Sequence, residues 1–296
     1  MTEVSYSNVN DNTPVLVGCA QHLDKNGVDG LNFLEILEIA GKKAIADCES
    51  KKSLNEELDN VTVIRFVADT PNRDSATTSM WGYPNMPKSL ANSLGSKASS
   101  LMYTTTGGNS PQLALNEVAK RIQSGDIDCS LIAGGEALDT FVKRIKLGID
   151  TDWSDNPGGE PEIIGSAKDG ANNHEKLHGL FDPSSVYPLF ANALRAKDGT
   201  SPAKHMHEVG ELFSQFSRVA SENEHAWFPI HRTAEEISEV KPENRIIGFP
   251  YTKYMNSIMR VNQSSALVVV SAKKAREMEI PKSKWVFMHA GACVNE

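Results

Sequence analysis

The chain has 296 residues, 40% of them hydrophobic and 23% charged, which suits one large or two ordinary globular domains and excludes wholesale disorder, a collagen-like repeat and a coiled coil. Its formal charge of −8 with histidine neutral gives no general attraction to nucleic acid or anionic lipid, so neither nucleic acid nor membrane is expected as a partner. No run approaches the ~18 apolar residues of a membrane span, the opening residues carry no secretory or transit pattern, and the scattered Cys19, Cys48, Cys129 and Cys293 fit a reducing cytoplasm without a disulfide framework or zinc knuckle.

In chain order, Pro14–Ala20 has a short buried-strand pattern, and Leu31–Cys48 follows with Leu34, Leu37, Ala40, Ala44 and Ile45 near helical spacing. Val61–Phe66, rich in β-branched residues, reads as a second strand. Asn85–Leu94 reads as a short helix stopped by Gly95, and Ser99–Thr104 as a strand. Ser110–Ser124 is the clearest helix. Ser110 can cap it, Pro111 suits its first turn, Gly125 can end it, and Leu113, Ala114, Val118 and Ile122 form its apolar face. Cys129–Ala133 then runs as a strand into Gly134-Gly135. Strands alternating with helices predict an α/β fold with a largely parallel sheet.

From Ala137 to about Phe249 the pattern becomes irregular, with helices expected at Pro188–Ala196 and Lys204–Asn223. The second carries Val209, Leu212, Phe213, Phe216 and Val219 on one face, and Phe213 and Phe216 are read as core packing. The αβ rhythm resumes with Gln263–Ser271, Ala272–Met278 and Trp285–Ala290.

The turn Thr104–Gln112 joins a strand to the best helix. Gly107, Gly108 and Asn109 tolerate positive φ, and a helix N-terminus offers unpaired N–H groups and partial positive charge. The segment is either a plain tight connection or a site for an anion, an oxyanion or a nucleophile. It matches neither GxxxxGK[ST] nor GxGxxG.

Gly107–Leu138, with its run Ala133-Gly134-Gly135-Glu136, resembles thiolases, in which a strand enters a Cys-x-Ser-Gly turn, a helix follows and the next strand ends in Ala-Gly-Gly-x-Glu. Asn262–Ser271 resembles the start of the thiolase second half. Tyr187–Ala193 and Arg218–Asn223 resemble the insertion of sterol-carrier-type thiolases and thiolase-like proteins. The likeness runs in order from about Pro14 to Glu296 and is nearest to the type-1 thiolase-like proteins. It implies a thiolase fold with αβαβα layers. Residues 1–13 are expected as a disordered tail, 14–136 as the N-terminal α/β half, 137–249 as an insertion (loop) domain and 250–296 as the beginning of the C-terminal half.

Counting back from Gly125 puts the nucleophilic cysteine of the family at Gly108, and a residue without a side chain forms no acyl-thioester. Ser110 falls on the serine of the turn and is read as a helix cap. The C-terminal histidine motif and second cysteine of the family are not found; Asn295-Glu296 stands too early for the first, and Cys293 reads as structural, as does Cys129. The chain is therefore expected to be unfinished at its C-terminal end or to rely on a partner protein. The resemblance implies an acyl-CoA-binding protein, nominally an acetyl-CoA C-acetyltransferase, with impaired or lost Claisen chemistry. The alternative is a non-catalytic subunit that completes its fold with another chain. Gly108, Asn109 and Ser110 are the candidate ligand-binding turn, and Tyr187 and Phe190 occupy the family segment that lines the CoA channel. The resemblance further implies a homodimer, acyl-CoA as substrate or ligand and no other cofactor.

His174-Glu175-Lys176-Leu177-His178 matches HExxH, but the flanking residues allow barely two helical turns and Ser184 stands where a third histidine would fall. His205 and His207 point ~200° apart on a helix and do not share a metal. Asn262-Gln263-Ser264 fits a glycosylation pattern that a cytoplasmic chain would not use.

Overall fold

Successive side chains of a strand point to opposite faces, so the near-continuous apolar runs Cys129–Ala133 and Ala266–Val270 call for cover on both. In a computed structural model, described for residues 8–69, 82–166, 168 and 170–294, the chain divides into two compact units, Met1–Ala167 with Arg260–Glu296, and Lys168–Met259. Residues 1–7 of the expected tail, and Asn295-Glu296, lie outside the described residues. Among residues 8–13, Val9 packs against the core and Asp11 pairs with Arg276.

The strands of the first unit are β1 (Pro14–Leu23), β2 (Asn60–Val63), β3 (Ser100–Thr104), β4 (Cys129–Ala137) and β5 (Glu162–Ile164). After β6 (Ile246–Gly248) and β7 (Tyr251–Thr252) of the second unit come β8 (Asn262–Ser271) and β9 (Val286–Phe287) of the first. Among the described residues, seven strands pair in the order β5-β3-β2-β4-β8-β1-β9. β2 pairs in parallel with β3 and β4, and β3 with β5. β8 runs antiparallel to both β4 and β1, and β9 antiparallel to β1. The strands before residue 165 thus share one direction, as helical crossovers between them require. The sheet, expected to be largely parallel, is mixed among the described residues, because the returning β8 enters between β1 and β4 in the opposite sense.

Two apolar clusters cover the two faces. Helices α1 (Phe33–Asp47), α2 (Met86–Ser93) and α4 (Leu138–Lys146) contribute Phe33, Leu90 and Phe141 to the larger, which takes Leu131, Val268 and Tyr103 from the sheet. Helix α3 (Ser110–Ser124) contributes Ala114, Val118 and Ile122 to the other, which takes Ile132, Val269 and Met102. Neighbouring strand residues therefore go to opposite clusters, the period-two signature of a sheet covered on both sides. Residues 137–166 belong to this unit because Phe141 fills the larger cluster and β5 extends the sheet beside β3.

Asn32 caps α1 through a reciprocal box with Glu35, each accepting the other's backbone N–H at 2.8 and 2.9 Å. Gly125 ends α3 at φ 81°, the left-handed cap that glycine allows.

The second unit contains α5 (Asn173–Leu177), α6 (Pro183–Lys197), α7 (Pro202–Ser221), α8 (Ala234–Ser238) and the hairpin β6/β7. Helix α6 starts at Pro183, not at the expected Pro188. Pro188 lies inside it and leaves the Ser184 carbonyl without its helical donor. Gly248 packs against that carbonyl, where a Cβ would clash.

Core packing by Phe213 and Phe216 is corrected. Phe216 is 59% exposed and Leu212 and Val219 are also exposed, while Phe213 is half-buried. The buried seam of α7 is made of small residues. Gly210 meets the Ala234 backbone, and Ser214 and Ser217 donate to the Arg232 carbonyl at 2.8 and 3.2 Å. This spacing lets backbones approach more closely than phenylalanine would.

Candidate functional site

The parallel strands β2, β3 and β5 end together while β4 runs on to Ala137 beside β8, at the edge where α/β folds assemble ligand sites. β3 ends at Thr104 and α3 begins at Ser110, leaving a five-residue turn, Thr105–Asn109, between them. The Thr105 N–H donates to the Ile164 carbonyl at 2.9 Å, and the Ser110 N–H to the Gly107 carbonyl at 3.1 Å. Arg121 forms a fork with both Glu162 carboxylate oxygens, at 2.9 and 2.6 Å, tying α3 to β5.

Ser110 does not cap the helix. It is the first helical residue, 2% exposed, and its hydroxyl donates to the Thr105 carbonyl at 2.6 Å. The cap position belongs to Asn109, whose side chain makes no capping bond. None of Gly107, Gly108 and Asn109 adopts positive φ, so the turn does not draw on the freedom expected of its glycines. Their value is space: a Cβ on Gly107 would sit 2.8 Å from Asn109 Oδ1, whereas one on Gly108 would meet nothing within 4 Å among the described residues. Gly108 and Asn109 are exposed. Among the described residues neither of their N–H groups donates to a protein acceptor. Gly108, Asn109 and Ser110 therefore form one turn with two exposed residues whose N–H groups have no protein acceptor among the described residues, and with open space at the Gly108 Cβ position. Tyr187 and Phe190 lie on α6 in the second unit, 67% and 62% exposed.

Beside the turn stands a charged cluster that sequence reasoning missed. Arg65 Nη1 donates to Asp69 Oδ2 at 3.0 Å, and the guanidinium carbon lies 3.8 Å from the Tyr103 ring centroid. The Tyr103 hydroxyl donates to the same Asp69 oxygen at 2.6 Å. Glu136 Oε1 accepts the Val67 N–H at 2.7 Å. The available signal was an arginine in an otherwise apolar strand pattern; β2 ends at Val63, before that arginine.

Burial raises the Asp69 carboxyl above its ordinary value, against the lowering effects of the Tyr103 bond and the Arg65 charge. Such a group holds its proton more tightly folded than unfolded. Its stabilising contribution is present below 3.8 and is lost as pH rises through the raised folded value. Asp69→Asn is expected to flatten that loss. Urea unfolding of both proteins from about pH 3 to about pH 7 tests this, and identical slopes would refute it.

Cys129 is buried in β4, and burial pushes its thiol well up; burial likewise pushes Cys48 to about 12. Cys19 and Cys293 are exposed. His174 and His178 sit on and just beyond the five-residue α5, their ring centroids 4.5 Å apart. Among the described residues no group of three or more His, Cys, Asp or Glu is placed to hold a metal ion, and no helix is long and apolar enough to cross a membrane.

No family model and no curated protein matches the sequence. Solved structures do. The chain is similar to a monomeric SCP2-thiolase-like protein type 1 from Mycobacterium smegmatis, at 28% identity and a TM-score of 0.73, over 94% of this chain and 50% of that one. It is similar in fold to an Ltp2–ChsH2(DUF35) aldolase, at 15% identity and a TM-score of 0.59, over 91% of this chain and 58% of that one. It also shares its fold with the dimeric peroxisomal thiolase of Saccharomyces cerevisiae, at 16% identity and a TM-score of 0.57, over 94% of this chain and 69% of that one. The chain spans half the length of the mycobacterial protein.

Proposed function

From this thiolase-superfamily chain, similar to a type-1 SCP2-thiolase-like protein, we propose a protein that binds acyl-CoA at the Gly107–Ser110 turn without Claisen or thiolysis turnover. The observation that carries the reading is Gly108. It is exposed, and among the described residues its N–H is free of protein acceptors and the space a Cβ would enter is open. Backbone N–H groups beside a helix N-terminus suit a polarised thioester oxygen, and their donation does not depend on a side chain. Gly108 offers no nucleophile, and the Ser110 hydroxyl is turned to the Thr105 carbonyl. A serine needs a general base to attack.

Calorimetric titration with acetyl-CoA is expected to show saturable binding, and acetoacetyl-CoA with free CoA is expected to show no thiolysis. Absence of binding up to millimolar acetyl-CoA overturns the reading. Thiolysis abolished by Ser110→Ala in a folded protein overturns its non-catalytic part.

A second reading, a non-catalytic subunit completed by a partner chain, is favoured by the apolar residues that α6 and α7 present to solvent. Tyr187, Phe190 and Leu194 on one, and Leu212, Phe216 and Val219 on the other, are all at least half exposed. Stepwise apolar exposure of this kind marks interaction surfaces.

A further inference from the structure

Arg65 occupies a gap in the sheet. The β2/β3 ladder stops at Val63 opposite Tyr103, so Thr104, the last residue of β3, has no ladder partner on that side. Arg65 supplies the missing donors. Its backbone N–H donates to Thr104 Oγ1 and its Nε–H to the Thr104 carbonyl, both at 3.0 Å. The rest of the side chain is fixed from behind: Nη1 reaches the Asp69 carbonyl and Oδ2, each at 3.0 Å, and Tyr103 lies under the guanidinium. The Arg65 and Asp69 side chains are only 10% and 13% exposed.

A buried ion pair is weak evidence for stability, since well-packed apolar side chains of similar size often do as well. A guanidinium offers instead a rigid plane of directed donors. Here one donor meets the carboxylate and another meets the main chain immediately before the turn. We propose that Arg65 is a positioning residue: through the Thr104 carbonyl it fixes the strand end from which the Thr105–Asn109 turn departs, and so the direction of the Gly108 and Asn109 N–H groups. Its consequence for acyl-CoA rests on the function proposed above; its effect on the turn does not.

Two variants separate positioning from stabilisation. Arg65→Lys keeps the charge beside Asp69 but loses the Nε donor. Arg65→Met combined with Asp69→Leu removes both charges and leaves apolar packing. In the full chain, each is expected to retain the fold while the hydrogen-bonded amides of Thr105 and Ser110, at either end of the turn, exchange with deuterium about tenfold faster relative to amides 130–133 of β4, the factor expected for one lost charge-assisted hydrogen bond. Affinity for acetyl-CoA is expected to fall by about the same factor. Unchanged turn exchange in either folded variant overturns the proposal. If the unaltered protein binds no acetyl-CoA, the functional reading fails while the exchange result still decides this one. Should neither variant fold, NMR exchange of the Arg65 Nε–H in the unaltered protein decides it: slower exchange than at exposed Arg218 supports the proposal, and equal exchange refutes it.

Discussion

Asn262→Ala is expected to destabilise the first unit by about 2–4 kcal/mol, the sum of a lost helix cap and buried groups left without partners. Asn262 opens β8 and is fully buried. Its Oδ1 accepts the N–H groups of Asp139 and Thr140 at 3.0 and 3.1 Å, and its Nδ2 donates to Thr140 Oγ1 at 2.7 Å and to the Asp24 carbonyl at 3.3 Å. Helix α4 needs this help because its own cap position is Ala137, which has no side-chain acceptor. The neighbouring Val261 carbonyl accepts the N–H of Leu138 at 3.1 Å. The first amides of α4 are thus satisfied by residues more than a hundred positions later in the chain. Alanine would strand the buried Thr140 N–H, the part-buried Asp139 N–H, the Thr140 hydroxyl and the Asp24 carbonyl. Chemical unfolding of both proteins measures the difference, and a change under about 0.5 kcal/mol, the scale of an ordinary surface substitution, would refute the cap. The same burial hides the Asn262 amide from glycosylation in the folded chain.

That arrangement shows where sequence reading reaches its limit. The α3 helix was legible because its signals are local: Pro111 opens it, Gly125 closes it, and Ala114, Val118 and Ile122 repeat at helical spacing. The central strands were legible because runs such as Cys129–Ala133 and Ala266–Val270 need two covered faces, and both have them. The capping of α4 was not, since no local pattern announces an asparagine arriving from another strand. The apolar face of α7 misled for a related reason. Hydrophobic periodicity identifies a face, but not whether anything covers it, and the small residues Gly210, Ser214 and Ser217 made the closer contact. At the site, the turn and its missing side chain could be read directly from Gly107-Gly108-Asn109-Ser110. The role of Ser110 could not: a helix cap and a bond back to Thr105 ask for the same residue type at almost the same position. The Arg65–Asp69 pair is local, four residues apart, but its union with Tyr103 depends on β2 pairing with β3, and no spacing along the chain contains that.

Gly108→Cys is expected to convert an unreactive turn into one with a nucleophile, and it tests the site more severely than any deletion. The described residues leave room for the substitution: Gly108 does not have positive φ, and among them a Cβ there meets no atom within 4 Å. A thiol two residues before α3 would sit among outward N–H groups and near the positive end of the helix, which favour the thiolate. Its alkylation by iodoacetamide is therefore expected to exceed that of the exposed Cys19 and Cys293 by about tenfold or more, the gain when a thiol pKa falls by one unit or more below its ordinary ~8.5. Incubation with acetyl-CoA provides the sharper readout. The thiolate attacks the thioester carbonyl carbon, the bond to the CoA sulfur breaks, and CoA leaves as thiolate to take a proton from water. The variant is then expected to gain the mass of one acetyl group, removable by hydroxylamine, while the unaltered protein gains none. Oxygen polarisation by the turn is needed for that transfer but not for alkylation. Fast alkylation without acetylation would mean that the turn activates a thiol yet receives no thioester, and the acyl-CoA reading would fall. Alkylation no faster than at Cys19 would remove the helix-terminus argument as well.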